Sequence, residues 1–172
     1  MTSAFIIKNL FMLIVITGII TDIIWMLLPN WLFIAFAVLF AATCYFFGIE
    51  WEMIKGHLWA ILVVLLVGFP LFAVAQGKLV GAGDVKFAMG IAMWIGLGPT
   101  LLDFFILTGL FGLPLILAFF AIKKFDLLDY LPQKSYLSAL RSSVNKTPYG
   151  VALGAAALFL MDKFPIFQLI SN

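Results

Sequence analysis

Charge is the scarcest property of this 172-residue chain, which has 10 Lys plus Arg, 8 Asp plus Glu, one cysteine (Cys44) and one histidine (His57). A lone cysteine closes no intramolecular disulfide and builds no multi-Cys zinc site, and a lone histidine has no His partner for a metal. No metal and no other cofactor is therefore expected. The net charge of +2 is too small for a nucleic-acid footprint, so no nucleic-acid partner is expected either. What abounds is apolar: 65% of the residues are hydrophobic, against roughly 45 to 50% in a soluble domain even with glycine counted. That is the composition of a membrane protein. A spanning helix takes roughly 20 apolar residues, so six helices use about 120 positions and leave only short loops. A separate soluble catalytic, nucleotide-binding or DNA-binding domain is thereby excluded. The chain reads as one all-α, polytopic membrane domain over residues 1–172, a bundle of six helices.

Lys8 ahead of an apolar run imitates a signal peptide, but no small-x-small cleavage site follows, so the run is read as a retained first helix. Helix 1 is predicted over 5–20, extensible to 28, where Pro29 ends it. Helix 2 covers 32–48 and is closed by Glu50, Glu52, Lys55 and His57; helix 3 covers 58–75, with Pro70 as a kink that neighbouring helices accommodate. Helix 4, over 84–97, is short, and either starts below the interface or is shielded by protein. Helix 5 covers 101–122, with Asp103 near its start and Pro114 inside it, and helix 6 runs from 148 to about 160. Between them, Tyr136, Leu137, Leu140 and Val144 share one helical face, which suits a short cytoplasmic helix on the membrane surface and an ordinary loop equally well.

Basic residues collect in cytoplasmic loops. Lys78, Lys86, Lys123, Lys124, Lys134, Arg141 and Lys146 fall on the side of loops 1, 3 and 5, whereas Lys8, Lys55 and Lys163 fall opposite. This puts loops 1, 3 and 5 in the cytoplasm and both termini outside. It also brings Asp22 and Asp84 to the cytoplasmic face. A carboxylate inside hydrocarbon costs on the order of 3 kcal/mol and usually faces a site or pathway. Asp22 has apolar neighbours and no charge to pair with, while Asp84 follows Gly81-Ala82-Gly83, whose glycines permit unusual backbone geometry and close approach of another chain. Two carboxyl groups in one desolvated pocket share a proton and can act as acid and base. That chemistry suits aspartic proteolysis and a small proton-coupled transporter alike; a third reading, a structural subunit, has no use for it. The plainer roles are an N-cap for Asp84 and an interfacial marker for Asp22.

Gly81-Ala82-Gly83-Asp84 resembles the glycine-x-glycine-aspartate (GxGD) signature of the type IV prepilin peptidases. Asp22 followed by Pro29-Asn30 is similar to that family's first-aspartate segment, and Pro148-Tyr149-Gly150 to the segment that opens its last helix. The resemblance implies a membrane aspartic endopeptidase with Asp22 and Asp84 as the catalytic pair. It implies prepilin or pseudopilin substrates with an apolar N-terminal helix, and a bacterial or archaeal cytoplasmic membrane. The chain lacks the extra segment and paired cysteines of bifunctional members, so it looks like the short peptidase-only type serving tight-adherence (Flp) pili, without methyltransferase activity. It departs from the family in the apolar run Ile23-Ile24-Trp25-Met26-Leu27-Leu28, where a polar stretch is usual. Around the pair, Gly81 and Gly83 are expected either to leave room for an extended substrate or to make a tight turn. Lys86 is expected either to hold the Asp84 carboxylate or a phospholipid head group, or simply to anchor the helix at the membrane interface. Gly150 and Gly154 have the spacing of close helix packing. Helix polarity favours Asp84, at a helix start, as base and Asp22, near a helix end, as acid.

Overall fold

Backbone amides in a lipid slab find no water, so apolar stretches of this length satisfy them within helices. The computed structural model describes residues 2–74, 81–124 and 148–171. Along the chain these form α1 (Thr2–Trp25), α2 (Asn30–Phe47), α3 (Trp51–Val74), α4 (Ala82–Ile95), α5 (Pro99–Lys124) and α6 (Tyr149–Leu160). A 3-10 turn (Met161–Lys163) and α7 (Pro165–Ser171) follow, and no strand occurs among the described residues. The helices α1, α2, α3 and α5 are each long and apolar enough to cross a membrane, and α6 with its turn and α7 makes a fifth segment bent by 40°. The all-α, multi-pass architecture is the expected one.

The sixth helix of the bundle, α4, has only 14 residues, about 21 Å at 1.5 Å per residue, against about 30 Å of hydrocarbon. Protein surrounds it: Val85, Phe87, Ala88 and every residue from Gly90 to Ile95 are buried. The shielding expected for this helix is thus present. A Cβ at Gly90 would lie 2.4 Å from the Phe36 ring, so only glycine lets α2 come this close to α4. Both ends of α4 find partners within the protein. At its start the Gly81 N–H donates to Asp84 Oδ2 at 2.7 Å. At its end His57 Nδ1 donates to the Met93 carbonyl at 2.8 Å, and the Leu97 N–H donates to the Gly56 carbonyl at 3.1 Å. The lone histidine is therefore a cap on a buried helix.

Successive helices run up and down. At one end of the bundle the loop after α1 lies on the first turn of α4, and Asp22 of α1 lies on the first turn of α6. At the other end Lys8 of α1 pairs with Asp162 after α6, and His57 of α3 rests on Gly96 after α4. Gly154 sits where a Cβ would be 2.4 Å from Ile19 Cγ1, so the Gly150 and Gly154 spacing does bring α6 and α1 into close packing.

Several boundaries differ from the sequence expectation. Met26, at φ 48, ends α1 at Trp25, before Pro29 is reached. Gly48, in a left-handed conformation, closes α2, while Glu52, Lys55 and His57 lie in the first turns of α3, which begins at Trp51 and not at 58. Polar side chains at the membrane boundary are compatible with helix, and Lys55 pairs with Glu52 one turn away at 2.7 Å. Helix α4 begins at Ala82, with Gly81 rather than Asp84 as its N-cap. The helices α3 and α5 continue through Pro70 and Pro114. The surface helix expected within 123–147 falls almost wholly outside the described residues, as do Lys78, Lys134, Arg141 and Lys146.

Candidate active site

Asp22 sits on the last turn of α1 and is only 4% exposed, whereas Ile23, Ile24 and Trp25 beside it are exposed on the outer face. The first three residues of the apolar run that departs from the family pattern therefore turn outward, whereas the carboxyl and, at the end of the run, Leu28 turn in. It rests on Gly150: a Cβ there would lie 2.8 Å from Asp22 Oδ2 and equally close to Leu28 Cδ1. The backbone N–H groups of Gly150 and Val151 are directed at the carboxyl group. Its Oδ2 is buried with no hydrogen-bond partner among the described residues. Pro148 caps α6 and so fixes where these amides start.

Asp84 occupies the first turn of α4, half-buried, with Oδ2 accepting the Gly81 N–H. A Cβ at Gly81 would stand 3.1 Å from that same oxygen, so glycine gives the carboxyl room to fold back on the helix start. Asp22 and Asp84 interact electrostatically, as do Asp84 and Tyr149. The two aspartates come from the end of one helix and the start of another, more than sixty positions apart, and the up-and-down topology brings them together.

The glycines do not leave open space. A Cβ at Gly83 would be 3.1 Å from Leu28 Cβ and 3.2 Å from the Leu28 carbonyl oxygen. The space beside the Gly83 backbone is filled by Leu28 of the chain's own 26–29 loop. Leu28 touches both Gly83 and Gly150 and wedges the loop between the starts of α4 and α6. Pro29, in an extended conformation, then caps α2, and Asn30 Oδ1 accepts from Lys86 Nζ at 2.7 Å. Lys86 thereby ties α2 to α4.

Beside the pair lies a cleft of about 160 Å³, walled by α3, α4, α5 and α6. Its lining is apolar apart from Asp84, Thr108 and Tyr149. The Tyr149 ring is seated against Gly112 of α5, where a Cβ would lie 2.8 Å from Cε2. Asp84 lines this cleft, whereas Asp22 is buried and does not line it. Two contributors were not singled out from the sequence. Thr108 is one hydroxyl in an apolar helix, and Leu28 is one leucine in an apolar run; neither carries a local signal. Glu50, Glu52 and Asp103 are exposed and do not extend the site inward.

The polarity contrast inferred from sequence is reduced by this geometry. Asp84 does face the positive end of α4, but Asp22, though near the C-terminal end of α1, also faces the positive end of α6. Helix dipoles therefore do not separate an acid from a base here.

Comparison with curated proteins and with solved structures found no match. A family model described as the type IV leader peptidase family matches residues 9–117, a range that contains both aspartates, the 26–29 loop and Thr108, while Pro148, Tyr149 and Gly150 join the site from outside it. With more than half of its length matched in this way, the chain belongs to the type IV leader peptidase family and is a multi-pass membrane peptidase.

Proposed function

We propose that the chain is an aspartic endopeptidase that removes the leader peptide of type IV prepilin-like or pseudopilin substrates, using Asp22 and Asp84 as its catalytic pair. The observation that carries this reading is the electrostatic interaction of two carboxyl groups, one buried and one lining a cleft. The pair holds one proton. The ionised member takes a proton from a bound water, the water attacks the scissile carbonyl, and the protonated member donates a hydrogen bond to the developing oxyanion. Collapse of the tetrahedral intermediate passes a proton to the leaving amine and returns the pair to its starting state. Each step needs only the two carboxyl groups and water, and no methyl transfer follows.

The surroundings support the same reading. A prepilin-like substrate carries an apolar helix next to its cleavage site, and the cleft wall is apolar. Gly81, Gly83, Pro29, Asn30, Lys86, Pro148 and Gly150 hold the two helix starts and the loop around the pair, and Tyr149 shares the cleft with Asp84. Excess basic charge on the loops at this end agrees with a cytoplasmic site in a bacterial or archaeal inner membrane, with both termini outside and lipid around the bundle. The substrates proposed are those of the tight-adherence type. The test is incubation of the purified chain in lipid with a prepilin-like peptide, read by mass spectrometry. A single cut at the leader boundary with an unmodified new N-terminus is expected. No cut, or a methylated product, contradicts the proposal.

A further inference from the structure

Thr108 of α5 is 3% exposed, and its Oγ1 is buried without a hydrogen-bond partner among the described residues. This sets it apart from Thr17, Thr21 and Thr43, which lie within helices and are buried or half-buried. Thr17 returns its hydroxyl to the Leu13 carbonyl at 2.7 Å, Thr21 to Gly18 at 3.0 Å and Thr43 to Leu39 at 2.8 Å. Such a return bond is the ordinary way for a threonine to satisfy itself in an apolar helix. A buried hydroxyl that does without one is destabilising. Thr108 lies in the wall of the cleft that Asp84 and Tyr149 also line, and the rest of that wall has no polar side chain.

A peptide entering this cleft must be extended to expose its carbonyl to attack, so its N–H and C=O groups lose water and find no helix partners. A hydroxyl can donate and accept, and the Asp84 carboxyl is already engaged by Gly81 and by the chemistry. We propose that Thr108 is a substrate-positioning residue whose hydroxyl hydrogen-bonds a backbone amide group of the peptide beside the scissile bond. This rests on the peptidase reading above and adds the group that holds the substrate in register with the carboxyl pair.

The experiment uses the full chain in lipid nanodiscs in an Asp84→Asn background, with a fluorescent prepilin-like peptide followed by anisotropy. Thr108→Val keeps the shape and removes the hydroxyl, and should weaken binding about tenfold, the loss of one hydrogen bond to a desolvated amide. Thr108→Ser should bind within about twofold of the parent, and Thr108→Ala replaces the valine variant if that one does not fold. Thermal unfolding of Thr108→Val should be unchanged or higher, because an orphaned hydroxyl has been replaced by a methyl group. Equal affinity of the valine and parent chains overturns the proposal, and so does an unaltered affinity with a reduced kcat in the Asp84 chain, since the hydroxyl would then serve the water and not the peptide. Absence of any binding overturns it as well. Binding that depends on Thr108 without cleavage by the wild-type chain would sink the peptidase reading and leave the peptide-binding role of the hydroxyl standing.

Discussion

Replacing Gly150 by alanine probes the site through a single methyl group. That Cβ would lie 2.8 Å from both Asp22 Oδ2 and Leu28 Cδ1, and 3.1 Å from Asp22 Cγ, whereas ordinary contact begins near 3.4 Å, so each neighbour must yield by about 0.6 Å. The Leu28 methyl can rotate, but the Asp22 carboxyl is packed against the start of α6 and is 4% exposed. Overpacking of this kind costs about 1 to 3 kcal/mol, while the exchange of glycine for alanine in a helix returns up to ~1 kcal/mol. The net loss, ~0 to 3 kcal/mol, leaves the protein folded. Chemistry is more sensitive: a displacement of ~1 Å at a reacting group costs on the order of 10²-fold, so about half of that displacement should lower kcat roughly tenfold with little change in KM. The assay is cleavage of a prepilin-like substrate by purified chain in lipid, beside Gly154→Ala. That second variant meets Ile19 Cγ1 at 2.4 Å, one turn farther along α6 from the carboxyl, and should lose stability without a comparable loss of kcat. Full activity of Gly150→Ala, or an equal loss in both variants, would refute the reasoning that the α6 start seats Asp22.

Gly83→Ala pushes on the Leu28 backbone, which cannot swing aside, so cleavage should fall severalfold and the melting temperature should fall with it; unchanged cleavage would show that the loop position is immaterial. Lys86→Ala and Asn30→Ala break the same exposed hydrogen bond, so a double-mutant cycle on unfolding should give a coupling of about 0.5 to 1 kcal/mol, and additive effects would deny the tie. His57→Ala removes the cap on the Met93 carbonyl and opens a cavity beside Phe40, and should destabilise the fold by about 2 to 4 kcal/mol with kcat preserved. Loss of kcat at full stability would place the histidine in the chemistry.

Much of this was legible in the sequence, for physical reasons that differ by residue. Asp22 and Asp84 stand out because charge is so scarce, and the alternation of apolar helices puts them at the same end of the bundle. Pro148 before Tyr149 marks the start of α6 because proline fits a helix entrance, and the spacing of Gly150 and Gly154 reports a close helix pair. The start of α3 was misplaced because polar side chains were read as loop, although Glu52, Lys55 and His57 sit comfortably in helix at the membrane boundary. Gly83 announces a close approach but not what approaches; only the folded chain brings Leu28 there. Thr108 is invisible for a related reason. Sequence does not say which face of α5 meets the cleft, nor that this threonine forgoes the return bond that its counterparts make.

The central claim is that Asp22 and Asp84 act as one catalytic unit, and the most direct measurement is cleavage of a prepilin-like substrate in membranes by the wild-type chain, Asp22→Asn and Asp84→Asn, each at matched membrane levels. The account predicts a cut product with the wild-type chain and none with either variant, the double variant being no worse than each single one. Persistent cleavage by Asp22→Asn or by Asp84→Asn would contradict it.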